Sequence, residues 1–381
     1  MSESTSFGNV LLAINVRWWN AEAAYAINLA RGLVSQGVKV HIIVNPGSPV
    51  HQRAERYGLN TVTSILLDSH SPIAQYNNLR KLLSIIDEHN IELINSFKSN
   101  GAVLFSIARR YRPGLTYIKT RGVAAPPKNH FINRLLYDRR SCDGIITVGS
   151  PVYQWIRELL GSTSQQHVKT IYYGDSAVNQ ANSEKNPNQV AGFTPPDDNK
   201  VFALVGRTQE VKGHLLLLQA LKKVEKAPIH VLFLVKDLEE FPDVLKEIEE
   251  FIEINQLKNK VTILGFQKHL GNILKLVHCG VIPSLASEVN CRVCVEFFSL
   301  GIPVIAFPTG TLPDIISHRR NGFLCKEKSI FELVKAVNWA LDDTVEFDKA
   351  KQGALKDYRE KYTLENLAAE TLAFYQYCKN A

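Results

Sequence analysis

The chain has 381 residues, 45% of them hydrophobic and 21% charged, with 44 Lys and Arg against 37 Asp and Glu for a formal net charge of +7. That length accommodates two or three domains with sizeable cores. No apolar run approaches the roughly 18 residues of a membrane span, MSESTSFGN lacks the basic-then-apolar layout of a leader, and six cysteines make no disulfide framework, so the expectation is a cytoplasmic globular protein. Charge is uneven: residues 1–175 carry 19 Lys and Arg against 11 Asp and Glu, whereas the remainder is nearly balanced. The basic surplus therefore belongs to the first half and suits an acidic partner there, such as an anionic membrane surface or a phosphorylated acceptor, as well as a plain excess of surface cations.

Residues 9–16 form an apolar strand, 21–34 a helical pattern ending near Gly37, and 38–44 a second strand. Apolar runs at 61–67, 91–95, 115–119, 144–148 and 168–173 alternate with helical stretches, which predicts a doubly wound parallel sheet. Each turn after a strand is then a candidate binding loop. The first holds Arg17, Trp18, Trp19 and Asn20, where two indole rings suit sugar stacking or an acceptor-lining surface, with core packing the plain alternative. The segment 95–100 brings Lys98 and several polar groups to another strand end. After the fifth run comes Arg121, a charged partner for phosphate or an acidic acceptor, or else a strand-end cap. Residues 131–140, FINRLLYDRR, are apolar on one side with Arg134, Arg139 and Arg140 elsewhere. We read them as a core-facing helix, the alternative being a helix at a membrane interface.

Residues 176–200, rich in Asn, Ser and Pro without sustained periodicity, are the expected linker. A new strand at 201–205 leads into Gly206, Arg207 and, after four residues, Lys212 and Gly213, then a Leu-rich helix. Strands follow at 229–235 and 261–264, the latter ending in Gly265 and Phe266. The stretch 281–307, VIPSLASEVNCRVCVEFFSLGIPVIAF, reads strand, polar turn, helix, Gly-x-Pro, strand. Its spacing places Glu288 at the mouth of the helix and Glu296 about two turns deeper on nearly the same face. Amides near Asn290, Cys291 and Arg292 would point at an anion. Two carboxylates beside such a helix start suit a ligand with phosphate at one part and hydroxyls at others, which is what a nucleotide-sugar offers. Cys291 and Cys294, without a second pair or a nearby His, read as small packing residues rather than zinc ligands. From Ser329 onward the chain is helical.

The frame P-S-x3-E-x7-E followed by G-x-P-V-I-A resembles the donor-site signature of the retaining glycosyltransferases of family 4, and G-R-x4-K-G at 206–213 resembles their second donor motif. The resemblance is sharp over 201–324 and looser before. It implies an α/β protein of GT-B fold, two Rossmann-like doubly wound parallel-sheet domains facing a central cleft. Residues 1–175 would bind acceptor, residues 201–361 the nucleotide-sugar, and a terminal helix within 362–381 would cross back to the first domain. By the same resemblance Arg207 and Lys212 hold the diphosphate, Glu288 contacts sugar hydroxyls, Glu296 bonds the ribose, and Gly265 with Phe266 lies near the base. No metal and no other cofactor is implied, because fixed cations can stand in for a divalent ion at the leaving group. The chain departs from the family pattern where the first loop lacks its Gly-Gly pair, where no His stands near Arg121, and where Asp314 replaces a Glu. Two other readings remain, a GT-B sugar epimerase and a noncatalytic sugar-binding protein; a dehydrogenase is disfavoured because G-x-G-x-x-G follows neither domain's first strand. A glycan or glycolipid acceptor of the bacterial envelope, such as lipopolysaccharide core, is the expected partner, with peripheral contact to an anionic membrane and no nucleic acid.

Overall fold

Short apolar runs bounded by turn residues cannot satisfy their backbone polar groups alone, and here they pair in parallel with helices covering both faces. The computed structural model describes residues 7–69, 71–177, 193–196, 198–224, 228–267, 270–286, 288–342 and 345–381. Most of the expected linker, residues 178–192 and 197, lies outside the described residues. Along the chain come β1 (Asn9–Ala13), α1 (Ala21–Ser35), β2 (Lys39–Ile43), α2 (Pro49–Arg56), β3 (Asn60–Val62), α3 (Pro72–Glu88), β4 (Leu93–Ser96), α4 (Ala102–Tyr111), β5 (Thr116–Arg121), α5 (Phe131–Tyr137), β6 (Gly144–Thr147), α6 (Ser150–Leu160) and β7 (Val168–Thr170). There follow β8 (Lys200–Val205), α7 (His214–Leu221), β9 (Ile229–Leu234), α8 (Pro242–Ile254), β10 (Val261–Leu264), α9 (Leu270–Leu274), β11 (Cys279–Ile282), α10 (Arg292–Phe298), β12 (Val304–Ala306), α11 (Leu312–Ile315), β13 (Gly322–Leu324), α12 (Ile330–Leu341), α13 (Val345–Lys361) and α14 (Leu364–Asn380).

Two compact units result, Met1–Gly174 with Tyr362–Ala381, and Asp175–Lys361. The first holds a parallel sheet ordered β3-β2-β1-β4-β5-β6-β7, the second one ordered β10-β9-β8-β11-β12-β13. Both are Rossmann-like and doubly wound. In each, the strand order reverses beside the unit's first strand, between β1 and β4 and between β8 and β11, and such a reversal opens a crevice at the carboxyl ends of the strands. Central strands are buried on both faces: all six residues of β9 are buried.

The run at 61–67 does not continue as a strand. β3 is an edge strand whose neighbour β2 stops at Ile43 before the Asn45-Pro46-Gly47 turn, so nothing beyond Val62 has a ladder partner; Ile65 and Leu67 pack on the core from a loop instead. β7, at the other edge, likewise ends at Thr170. Glycines let α14 dock in the first unit. A Cβ on Gly32 of α1 would lie 2.5 Å from the Leu364 carbonyl oxygen, one on Gly144 2.5 Å from Cys378 Sγ, and one on Gly174 would strike the Thr363 carbonyl. Tyr375 is fully buried there, and its hydroxyl accepts from Asn95 Nδ2 at 2.6 Å. Among the described residues no helix is long and apolar enough to cross a membrane.

Candidate functional site

β8 and β11 are adjacent at the reversal of the second sheet, so the loops that leave them must meet. Leaving β8, the chain passes Gly206 and Arg207 into a single 3-10 turn, Glu210–Lys212, closed by Gly213. Gly213 has φ +77°, and a Cβ there would collide with the carbonyl oxygen of Pro283 in the β11 loop, so only glycine lets the loops touch. Leu285 N–H donates to the Val211 carbonyl at 2.8 Å and completes the seam. Lys212 is thereby carried onto Glu288, and the two form an ion pair with little exposure on either side chain. Ser284 Oγ donates to the same carboxylate oxygen at 2.7 Å.

A third loop, after β12, locks the backbone of that carboxylate. Thr311 N–H donates to the Glu288 carbonyl at 2.7 Å, and Thr309 Oγ1 to the Ser284 carbonyl at 2.6 Å. Gly310, at φ +58°, lies so close to Glu288 that a side chain has no room.

The helix expected to open just behind Glu288 starts a little later. α10 begins at Arg292, after Cys291 in the left-handed region at φ 46°, so Glu288 lies in an irregular turn four residues ahead of it. The physical reason is competition: a helical Glu288 could not offer its carbonyl to Thr311, whereas the left-handed Cys291 lets the chain bend first. Cys291 and Cys294 are buried with their thiols pushed well up by burial, which fits packing. Among the described residues no group of three or more His, Cys, Asp and Glu could hold a metal ion.

Glu296 does lie on α10, 5% exposed, with Oε1 accepting from Arg292 Nε at 2.7 Å and Oε2 without a partner. Burial raises its pKa, Arg292 opposes that, and Asp175 in the same unit adds to it. Other buried polar atoms without partners gather on these same loops: Thr208 Oγ1, Asn290 Oδ1 and Thr311 Oγ1. Unpaired buried polar atoms cost roughly 1–3 kcal/mol each, so their concentration at the carboxyl ends of these adjacent strands marks a place suited to a polar ligand. His214, the first residue of α7, is also buried there without partners on either nitrogen; burial, aided by Lys212, lowers its pKa to about 4 and keeps it neutral.

The other sequence candidates are dispersed. Arg207 is paired with Glu240 at 3.0 Å, so the two expected phosphate cations hold different carboxylates. A Cβ on Gly265 would meet Leu238 at 3.3 Å, and Phe266 beside it is 70% exposed. In the first unit, Arg17 pairs with Asp68 at 3.2 Å. The Asp68 carboxyl is held low chiefly by its hydrogen bond from Asn15; burial opposes this, and hydrogen bonds from Arg17 and Asn100 outweigh the opposition. Trp19 stacks under the Arg53 guanidinium at 3.7 Å, and Asn20 caps α1 by accepting from Ala23 N–H at 2.9 Å. Trp18 is left as the exposed ring of that loop. Arg121 donates to the Tyr137 hydroxyl at 3.0 Å and the Ala125 carbonyl at 2.6 Å, and its Nε is buried without a partner.

Lys98 leads to a residue the sequence reading passed over. Its Nζ lies 3.8 Å from Glu22, a 7% exposed carboxyl in the first turn of α1 whose Oε1 has no partner. An acid at that position usually complements the helix dipole in solvent. The spacing Glu22, Ala26, Leu29, Leu33 nevertheless places it on the apolar face, and that was the available signal. Burial pushes its pKa from 4.5 to about 7, against the pull of Lys98 and Arg121. A carboxyl raised on folding holds its proton in the folded chain between those two values, so stability falls as pH rises through that window. Glu22→Gln should relieve about 3 kcal/mol above pH 7 and almost nothing at pH 4.5. Melting midpoints of both proteins at pH 5 and pH 8 check this; a gap that does not widen toward pH 8 contradicts it.

Two doubly wound units in one chain, the second bringing a Gly-Arg-x4-Lys-Gly loop onto a Pro-Ser-x3-Glu turn, define the class as GT-B. The model for glycosyl transferases group 1 matches residues 185–358 and that for glycosyltransferase family 4 matches residues 23–174; the chain belongs to these family 4 glycosyltransferases of GT-B type. It is 29% identical over 242 residues to an uncharacterized glycosyltransferase of Methanocaldococcus jannaschii, covering 62% of this chain and 60% of that one, less than two thirds of the relative's length. Its fold is similar to a glycosyltransferase from Rickettsia africae at TM-score 0.82 and 18% identity, over 97% of this chain and 98% of that one. It is also similar to Anabaena HepE in complex with UDP and glucose at TM-score 0.74 and 20% identity, over 96% of this chain and 100% of the other.

Proposed function

We propose that this chain is a retaining, metal-independent glycosyltransferase that moves a sugar from a nucleotide-sugar to a glycan or glycolipid of the bacterial envelope, of lipopolysaccharide-core type, at the inner face of the cytoplasmic membrane. The observation that carries the donor assignment is the Lys212–Glu288 pair set among partnerless polar atoms at the strand reversal. HepE, the solved neighbour that holds UDP and glucose, supports a nucleotide-sugar.

On this reading an arriving diphosphate draws Lys212 from Glu288. The carboxylate, still held by Ser284, turns to the sugar hydroxyls, while Glu296 offers its open oxygen to the ribose. As the bond from the anomeric carbon to the phosphate oxygen breaks, charge builds on the diphosphate, where a fixed cation stabilises it. The acceptor oxygen bonds the same face of that carbon and its proton passes to the leaving phosphate oxygen, so no protein base is needed. The basic first half suits a phosphorylated acceptor.

Titration of the free nucleotide and the nucleotide-sugar tests the two carboxylates. Glu296→Gln should weaken both ligands about ten- to a hundredfold, because both carry the ribose. Glu288→Gln should spare the nucleotide and weaken the sugar adduct. Equal losses for both ligands in both variants would reverse the assignment, and a chain that binds donor yet neither hydrolyses nor transfers it would be a binding protein.

A further inference from the structure

The basic surplus of the first half is local: residues 101–140 hold nine Lys and Arg and a single Asp. In the middle of this stretch stands α5, and its orientation reverses the core-facing reading of 131–140. At 3.6 residues per turn, Phe131, Ile132 and Leu135 share one face while Tyr137 lies on the opposite side. Tyr137 is the buried residue of the helix; Phe131, Ile132 and Leu135 are 78%, 61% and 39% exposed. The apolar face points outward because the polar groups beneath favour the other one. Lys119 Nζ sits 3.7 Å from the Tyr137 ring centroid and donates to the Leu136 carbonyl at 3.2 Å, and Arg121 donates to the Tyr137 hydroxyl. The helix start is fixed by His130 Nδ1, which accepts from Asn133 N–H at 3.3 Å, and by Asn133 Nδ2 donating to the Lys128 carbonyl at 2.7 Å. Val123, in the preceding loop, is also exposed.

Cations flank this face. Arg134 is exposed and donates to the neutral Asn129 side chain, Arg139 donates to the carbonyl of Ala381, and Arg140 has an 82% exposed side chain with a loose 3.7 Å approach to Asp138. A second exposed apolar set in the same unit, Leu66, Ile73 and Tyr76, stands in a segment (63–79) with no Lys or Arg and one Asp. The contrast bears on the occupant: a few apolar side chains ringed by cations match an anionic lipid surface, where the rings enter the headgroup boundary and the cations meet phosphates.

We propose that α5 and its flanking arginines are the element by which this protein docks on an anionic bilayer. The proposal deepens the envelope reading above, yet vesicle binding needs neither donor nor acceptor, so the two can fail separately.

The test is co-sedimentation of the full chain with phosphatidylglycerol vesicles and with phosphatidylcholine vesicles. Wild type should bind the former, weakening as salt rises, and bind the latter little. Phe131→Ser with Ile132→Ser, and separately Arg134→Glu with Arg140→Glu, should each lower binding about tenfold or more without moving the melting midpoint, since all four side chains are exposed. Ile73→Ser should bind as wild type does. Should either double variant melt early, Phe131→Ser alone serves in its place. Absent binding to phosphatidylglycerol, equal binding to both vesicle types, or binding undiminished in the variants would overturn the proposal. So would a concentration-dependent dimer that the serine variant abolishes, since the face would then be covered by a second copy. Lost vesicle binding with transfer to a soluble acceptor intact would leave the enzyme reading standing.

Discussion

Gly310→Ala is expected to cost at least about 3 kcal/mol, because two penalties coincide. At φ +58° an alanine is strained, and its Cβ would overlap the Glu288 carbonyl oxygen. The overlapped atom is backbone, so no rotamer change relieves it. Either the loop after β12 moves away, and Thr311 loses its hydrogen bond to Glu288, or the Glu288 turn moves and Lys212 loses its partner. Donor binding should therefore fall together with the melting midpoint. Denaturant unfolding with ligand titration checks this; a variant as stable as the parent would show that the loop gives way at no cost. Gly206→Ala makes the contrast, since the nearest atoms to a Cβ there stand at 3.8 Å.

Lys212→Ala should reduce turnover by about a hundred- to a thousandfold while donor affinity changes less, since the cation is most needed when charge reaches the leaving diphosphate. Arg207→Ala should do less, because the guanidinium must first leave Glu240. Transfer measured with chelator present should persist in the parent chain, and Lys212→Arg should keep more activity than Lys212→Ala. Equal turnover in parent and Lys212→Ala would remove the residue from the chemistry. Activity lost to chelator and restored by magnesium or manganese would place the leaving group on a metal instead.

The doubly wound parallel sheet of the first unit was legible because fully buried parallel strands leave continuous apolar runs between turn residues, and that of the second was expected from the family resemblance. Strand ends were not. The run at 61–67 is as apolar as its neighbours, but a strand lasts only as long as its partner does, and that depends on a turn near Pro46 far back in the chain. Lys212 and Glu288 were named from motif spacing, and the structure pairs them. Their union rests on Gly213 and Gly310, which periodicity does not reveal. Glu288 was placed at the mouth of its helix, and periodicity cannot register the one left-handed cysteine that delays the helix start. α5 was read inward because amphipathic patterning says that two faces differ without saying which one meets the protein; Lys119 and Arg121 decide that, and both come from β5. Glu22 was passed over for the converse reason, an acid sitting on a face otherwise fit for the core.

The return of α14 to the first sheet sets an order of events during synthesis. A ribosome delivers β1 to β7 first, then all of Asp175–Lys361, and only afterwards the helix that covers Gly32, Gly144 and Gly174. Until Tyr375 emerges, the Asn95 amide lacks its buried hydroxyl and the groove beside α1 stays wet. The later unit can condense on its own stretch of chain while the earlier one waits, so the part made first is finished last. The nascent chain therefore carries an uncovered apolar groove for most of its translation, at the stage when a chaperone has most to protect.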